Sequence, residues 1–294
     1  MANKCAFVAI VGEPNAGKST LVNTLVGEKV SIVSPKIQTT RKQIRGITEI
    51  GETQIVFVDT PGFCLPNTPL EKAIETNFKN SYKDSDIILL VIDATKMNIT
   101  PSLEFIEKVS NFKIPFAVAI NKVDIAKKED ILRIAQKLSQ YDFIEEVFMI
   151  SAKTQDGISD LKAFLQDSAL EGPWLYESKT STDSPIKFRL SEITREKIFI
   201  HLDKELPYSI YVDTELFHET EKKVKIYQSI VVMKESQKGI VLGKSANMIK
   251  TIKGEAIEDM KTLLHKKIEL KLFVKVKEKW TEKKAHLQNA GIID

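Results

Sequence analysis

The sequence predicts two unlike domains, a doubly wound α/β domain with a mostly parallel sheet and then a smaller α+β domain. Short Val/Ile/Phe-rich runs alternate with amphipathic stretches over residues 1–172. A Ser/Thr-rich break follows over 173–187. Beyond it, residues 188–294 run helix, strand, strand, helix, helix, strand. A chain of 294 residues suits two domains.

In the first domain Ala6–Val11, Ile55–Val58, Ile87–Ile92, Phe116–Ile120 and Val147–Ile150 are continuous apolar runs. Such runs fit strands buried on both faces, as a parallel sheet requires. Ser19–Val26, Glu71–Lys83, Leu103–Val109, Glu129–Tyr141 and Ile158–Asp167 carry helical patterns between them. Ile44–Ile50 and Thr53–Val58 flank Gly51-Glu52, which predicts a hairpin adding an antiparallel edge strand. Glu171-Gly172-Pro173 stops the last helix, and Ser178–Pro185 reads as linker. In the second domain Leu190–Leu206, Gly239–Ile252 and Glu255–His265 read as helices, and Lys283–Asn289 as a terminal helix. Tyr208–Thr214, Lys223–Val232 and Ile268–Val276 read as strands. The last alternates, with Ile268, Leu270, Leu272, Val274 and Val276 opposite Lys271, Lys275 and Lys277.

Composition is that of a globular chain, 28% charged and 43% hydrophobic, which excludes disordered, collagenous and coiled-coil classes. The net charge of +3 conceals an asymmetry. Residues 222–284 hold 17 lysines and no arginine against 7 acids, a window of +10 that leaves the remainder at −7. A basic block of this size suits a polyanion partner, and equally a solvated lysine-rich surface. Cys5 and Cys64 are the only cysteines and sit in no metal or disulfide pattern, so a cytoplasmic protein is expected. The apolar runs are too short to span a membrane. His201, His218, His265 and His286 are isolated, and Trp174 and Trp280 read as anchors of the linker and of the last turn.

Gly12-Glu13-Pro14-Asn15-Ala16-Gly17-Lys18-Ser19 fits GxxxxGK[ST] between a strand and a helix, with Thr20 next in the helix. There backbone N–H groups converge on phosphate oxygens at a helix N-terminus. Lys18 should reach the β- and γ-phosphates, and the Ser19 hydroxyl should bind Mg²⁺. Asp59-Thr60-Pro61-Gly62 follows the Ile55–Val58 strand. Asp59 should hold Mg²⁺ through water, and the Gly62 N–H should meet the γ-phosphate. Asn121-Lys122-Val123-Asp124 follows the next strand but one. The Asp124 carboxylate can accept from guanine N1–H and the N2 amine, which adenine cannot supply. The Lys122 stem can lie along the base. In Ser151-Ala152-Lys153 a backbone N–H can donate to guanine O6. Each of these segments lies at the C-terminal end of a strand, where open α/β sheets bind ligands.

These motifs resemble the translation-factor-like P-loop GTPases and, within them, the Era family, in which a GTPase domain precedes a KH domain. Gln38-Thr39-Thr40-Arg41 resembles that family's first switch, which implies that Thr40 closes on Mg²⁺ and the γ-phosphate. Phe63 stands where Ras-like proteins carry a water-orienting glutamine. The resemblance therefore implies slow intrinsic hydrolysis, with Lys18, Asn15, Thr40 and Gly62 as the catalytic set. Asn15 matches the P-loop asparagine linked to K⁺ in such proteins.

Val241-Leu242-Gly243-Lys244-Ser245-Ala246-Asn247-Met248-Ile249 resembles the KH signature, with Ala246 in place of the second glycine. KH loops clamp about four nucleotides of single-stranded RNA. Alone, the segment equally fits a helix–turn–helix with no ligand. The helix and strand order (that of a type II KH domain), the basic window, and Lys244, Lys250 and Lys253 around the loop favour RNA. Asn247 lies beside them. The resemblance implies the 3′ end of small-subunit ribosomal RNA as ligand, assistance to small-subunit assembly, a monomer, and peripheral association with the cytoplasmic face of the membrane. Two competing readings are a non-hydrolysing RNA-binding scaffold, and a GTPase acting at a membrane or protein with an attenuated KH-like domain.

Overall fold

The computed structural model describes residues 3–36, 39–41, 43–62, 85–111, 113–203 and 206–282. The expected helices Glu71–Lys83 and Lys283–Asn289 lie outside the described residues, as do Gln38, Phe63 and Cys64. By contacts the chain divides into two compact units. The first comprises Met1–Ser31, Thr40–Pro66 and Ile74–Asp183, and the second Ile32–Thr39, Asn67–Ala73 and Ser184–Asp294.

The first unit is built on one twisted sheet. Its strands are β1 (Lys4–Gly12), β2 (Ile44–Ile50), β3 (Thr53–Asp59), β4 (Ile87–Asp93), β5 (Phe116–Asn121), β6 (Ile144–Ile150) and β7 (Leu170–Glu171). Their order is β2-β3-β1-β4-β5-β6, with β7 beside the start of β1. β1, β3, β4, β5 and β6 run parallel, and β2 is the antiparallel edge strand of a hairpin. Period two divides β1 between two cores. Ala6, Val8 and Ile10 pack with α1 (Lys18–Val26) and α4 (Ile158–Asp167), while Ala9 and Val11 pack with α2 (Thr100–Val109) and α3 (Lys128–Leu138). Both faces are thereby covered, and each parallel strand ends at the same edge.

Two expectations change here. The short β7 pairs antiparallel with Lys4 and Cys5, where only a helix stop was expected. The stretch expected to be linker is tied to the β2–β3 hairpin. Gln54 Oε1 accepts from the Leu175 and Tyr176 N–H groups, Glu49 Oε1 accepts from Lys179 N–H, and Ile47 N–H donates to Ser181 O. Trp174 Nε1 donates to Glu52 O at 3.0 Å, the anchor expected of it.

The second unit runs α5 (Ile186–His201), β8 (Tyr211–Glu219), β9 (Lys223–Val232), α6 (Glu235–Leu242), α7 (Asn247–Leu264), β10 (Lys267–Val276). Its sheet order is β10-β9-β8, with β10 parallel and β8 antiparallel to β9. Leu190, Ile198, Ile230, Val232, Ile252 and Met260 are among the side chains its helices and sheet bury. Trp280 is fully buried, edge-on to Tyr211 at 4.7 Å, and donates to Ser209 O.

Boundaries here differ from expectation in physical ways. α5 stops at His201, because Leu202 is already extended, so it does not reach Leu206. Tyr208 falls in a 3₁₀ turn, Pro207–Ser209, and the strand starts at Tyr211. The expected helix Gly239–Ile252 is broken at Gly243–Ala246. The expected break before Glu255 is absent, and α7 runs straight through Gly254, which faces open space. Departures from helical geometry at Gly243, Ser245 and Ala246 outweigh one exposed helical glycine, which costs about 1 kcal/mol.

Candidate functional site

The phosphate end begins where β1 gives out. Gly17 has φ +98°, and a Cβ there would collide with the Asn121 side-chain amide, so this left-handed position at the start of α1 needs glycine. Lys18 is 6% exposed, and its ammonium donates to Gly12 O at 3.0 Å and Glu13 O at 2.9 Å. Thr20 is half-buried on the first turn of α1, and Gly62 is half-buried beside Pro14.

Three oxygens meet at the end of β3. Ser19 Oγ donates to Asp59 Oδ2 at 2.7 Å and lies 3.0 Å from Thr40 Oγ1, which also points at Asp59 Oδ2 from 3.4 Å. Asp59 is completely buried, and its Oδ1 has no hydrogen-bond partner. Burial pushes its carboxyl above the usual carboxylate range, against the pull of Ser19 and Lys18. A buried carboxylate oxygen without a partner, beside two hydroxyls, is a hard-oxygen donor set that fits Mg²⁺. Such a set contains one carboxylate, and among the described residues no group of three or more His, Cys, Asp or Glu is gathered for a metal.

The base end is organised by Asn121, the last residue of β5. Its Nδ2 donates to Ala16 O at 2.8 Å, and its Oδ1 accepts the Ala152 N–H at 2.9 Å. One amide thus joins the phosphate loop to the Ser151–Lys153 loop. Thr24 Oγ1 adds a second tie, donating to Ala152 O at 2.8 Å. Ser151 is fully buried and its N–H donates to Asp156 O, whereas Asp124 and Lys153 are exposed. Lys122 has φ +69°, and its ammonium donates to Asn15 O at 2.8 Å and to Asp93 Oδ2 at 2.6 Å. Asn15 is exposed, with φ +63°. Glu13 turns its carboxylate away from the loop to Lys96 Nζ at 2.9 Å and Ser102 Oγ at 3.1 Å. Asp93, Lys96 and Ser102 were not singled out from sequence. The one signal was a lone carboxylate closing the apolar run Ile87–Ile92, as Asp59 closes Ile55–Val58.

In the second unit the Gly243–Ala246 turn separates α6 from α7. Gly243 has φ +71° and ψ 174°, and a Cβ there would come within 2.9 Å of Met248 N. Ser245 and Ala246 are both left-handed, at φ +53° and +58°. Lys244, Ser245, Asn247 and Lys250 are exposed, and Lys253 is half-buried one turn further along α7. The turn therefore offers exposed backbone and cations on one surface. His201 Nε2 lies 2.8 Å from Glu255 Oε1.

Residues 7–122 match the family model for a 50S ribosome-binding GTPase, and residues 205–281 match that for a KH domain. GTPase Era of Rhizobium meliloti is 41% identical over 290 residues, covering 98% of this chain and 93% of that protein. The chain belongs to the Era family of GTPases. Crystal structures of the family agree with its fold. Era in complex with MgGDPNP and nucleotides 1506–1542 of 16S ribosomal RNA superposes with a TM-score of 0.93 at 32% identity, covering 99% of this chain and all of that one. A variant of Aquifex aeolicus Era bound to GDP·AlF₄⁻ superposes at 0.92 and 33% identity, with the same coverage. The expected P-loop GTPase domain followed by a KH domain is thus the architecture of the family. No described helix is long and apolar enough to cross a membrane.

Proposed function

We propose that this Era-family GTPase is a GTP-hydrolysing switch that binds the single-stranded 3′ end of small-subunit ribosomal RNA and assists assembly of that subunit. The observation that carries the reading is the Asn121 amide, which holds the phosphate loop and the Ser151–Lys153 loop in one frame. A frame of that kind grips a ligand that has both phosphates and a base. A ribosomal partner sets a cytoplasmic location.

In this reading the phosphates lie against the Gly12–Thr20 backbone, and Lys18 leaves its loop carbonyls for the β- and γ-oxygens. Ser19, Thr40 and Asp59 would hold Mg²⁺, which supplies positive charge to the oxygens of the transferred phosphoryl group. Thr40 and the Gly62 N–H read the γ-phosphate, so its loss releases both segments. Asp124 accepts from the guanine N1–H and N2 amine. Ala152 has committed its N–H to Asn121, so the donor to O6 from this loop is the Lys153 N–H. Asn15 would place K⁺ near the transferred charge. The Gly243–Ala246 turn, with Lys244, Lys250 and Lys253, takes the RNA backbone.

The test measures binding of the full chain to an oligoribonucleotide of the 16S 3′ end, with GDPNP and with GDP, across a salt series. Tighter binding with GDPNP, and affinity falling steeply with salt, are expected. A log–log salt slope near zero, or no GTP turnover in a single-turnover assay, overturns it.

A further inference from the structure

β4 is Ile-Ile-Leu-Leu-Val-Ile-Asp, entirely buried, and its last residue is a carboxylate only 6% exposed. Burying a charge is expensive unless it is paired and hydrogen-bonded. Asp93 is both. Its Oδ2 takes the Lys122 ammonium at 2.6 Å, and its Oδ1 takes the Thr95 hydroxyl at 2.6 Å and the Thr95 N–H at 3.0 Å. The main chain is pinned as well, since Ala94 N–H donates to Asn121 O and Lys96 N–H to Asp93 O. Asp93 stands directly opposite Asn121 in the β4–β5 ladder. Burial works to raise the Asp93 carboxyl, and Lys122 and Thr95 outweigh it, so the group is held below its ordinary range.

The turn grips the site twice. Through Asp93 it holds Lys122, whose ammonium is shared with Asn15 O of the phosphate loop. Through Lys96 it holds the Glu13 carboxylate of the same loop. Lys122 has four rotatable side-chain bonds and a left-handed backbone, so without a fixed anion its stem has no single path beneath a base. Asp93 supplies that anion from a rigid strand end rather than from a loop.

We infer that Asp93 is a positioning residue for nucleotide binding: it fixes the Lys122 ammonium against Asn15 O, so that the lysine stem forms the floor of the base pocket. The inference rests on the reading of Asn121–Asp124 as the guanine site. Thr95 steadies the carboxylate, and Lys96 ties the same turn to Glu13.

The experiment uses the full chain, methylanthraniloyl-GDP in stopped flow, and thermal melting of each variant. Asp93→Asn is expected to speed GDP dissociation about tenfold, about the worth of one charge-assisted hydrogen bond, with association changed less than about twofold. In a Lys122→Met background the same substitution should change dissociation by less than about twofold, because its effect passes through that lysine. Thr95→Val, which keeps both charges, should give a smaller acceleration in the same direction. Asp124→Asn is the reference for the base-site reading and should exchange GDP for XDP preference. Asp93→Asn should then weaken XDP binding to that variant by the factor it costs GDP in the parent. Unchanged GDP kinetics in both Asp93→Asn and Thr95→Val overturn the inference. An equal loss with and without Lys122 also overturns it. If Asp93→Asn does not fold, unchanged kinetics in Thr95→Val alone decide against it. If Asp124→Asn keeps its GDP preference, the base-site reading fails instead.

Discussion

Ser19 Oγ donates to Asp59 Oδ2 at 2.7 Å, while Oδ1 of the same fully buried carboxylate has no hydrogen-bond partner. In the proposed reading this carboxylate holds Mg²⁺, and its chemistry makes the site sensitive to pH. The folded-state carboxyl sits above its unfolded value, because burial disfavours the charge. Its contribution to stability is therefore fullest below the unfolded carboxyl value and is lost as pH rises through the raised folded one. Mg²⁺ requires the ionised form. The increment in melting temperature given by Mg·GDP over GDP alone should shrink as pH falls into the raised range of Asp59. Asp59→Asn should raise the melting temperature of the nucleotide-free protein by about 2–4 °C, as about 1 kcal/mol does. It should also abolish the Mg²⁺-dependent increment. Scanning calorimetry from pH 5 to 8 checks both.

Asp124 is exposed, whereas Asn121 and Lys122 before it are engaged with other parts of the site. Asp124→Asn should therefore leave melting unchanged and act on the ligand alone. GDP affinity should fall by at least about a hundredfold, with XDP gaining a comparable amount, since one acceptor facing the base is exchanged for a donor. Competition against a fluorescent nucleotide measures it. Retention of GDP by this variant would falsify the assignment of the base loop.

Ala246 occupies a left-handed position that L-residues enter at a cost of about 1–2 kcal/mol, whereas glycine enters freely. Glycine also loosens the unfolded chain by about 0.4–1 kcal/mol. Ala246→Gly should thus be neutral to about 1 kcal/mol stabilising in urea, and should tighten RNA binding by freeing the turn to meet a phosphate. Gly243→Ala meets Met248 as well as the backbone strain, and should destabilise the second unit and abolish RNA binding.

Asn15 has φ +63°, a conformation that asparagine tolerates better than most residues, and its carbonyl already serves Lys122. Hydrolysis should be faster in K⁺ than in matched Na⁺ buffer, and Asn15→Asp, which keeps the backbone preference, should alter that ratio. Equal rates in both salts for the parent sink the K⁺ proposal.

The phosphate and base motifs were legible because each is local. Spacing within eight residues sets Gly17 at the start of α1, and an apolar run ending in Asp59 or Asn121 sets the strand end. The two-domain order was legible for the same reason, since periodicity of 2 or 3.6 needs no distant partner. Breaks in the second unit were misplaced because Gly254 reads as a stop, yet its position in α7 is exposed and unstrained. The true break at Gly243–Ala246 depends on φ values that composition does not display.

Residue type and spacing by themselves pointed to the family and the fold class, and to the residues proposed to meet phosphate, metal and base. Tertiary structure alone decided how those residues are held. Asp93 and Lys122 are 29 positions apart, and Asn121 lies 105 from Ala16. Whether such pairs meet depends on the register of β4 against β5 and of both against β1. That register is settled by packing two cores on opposite faces of one sheet, and no local spacing encodes it.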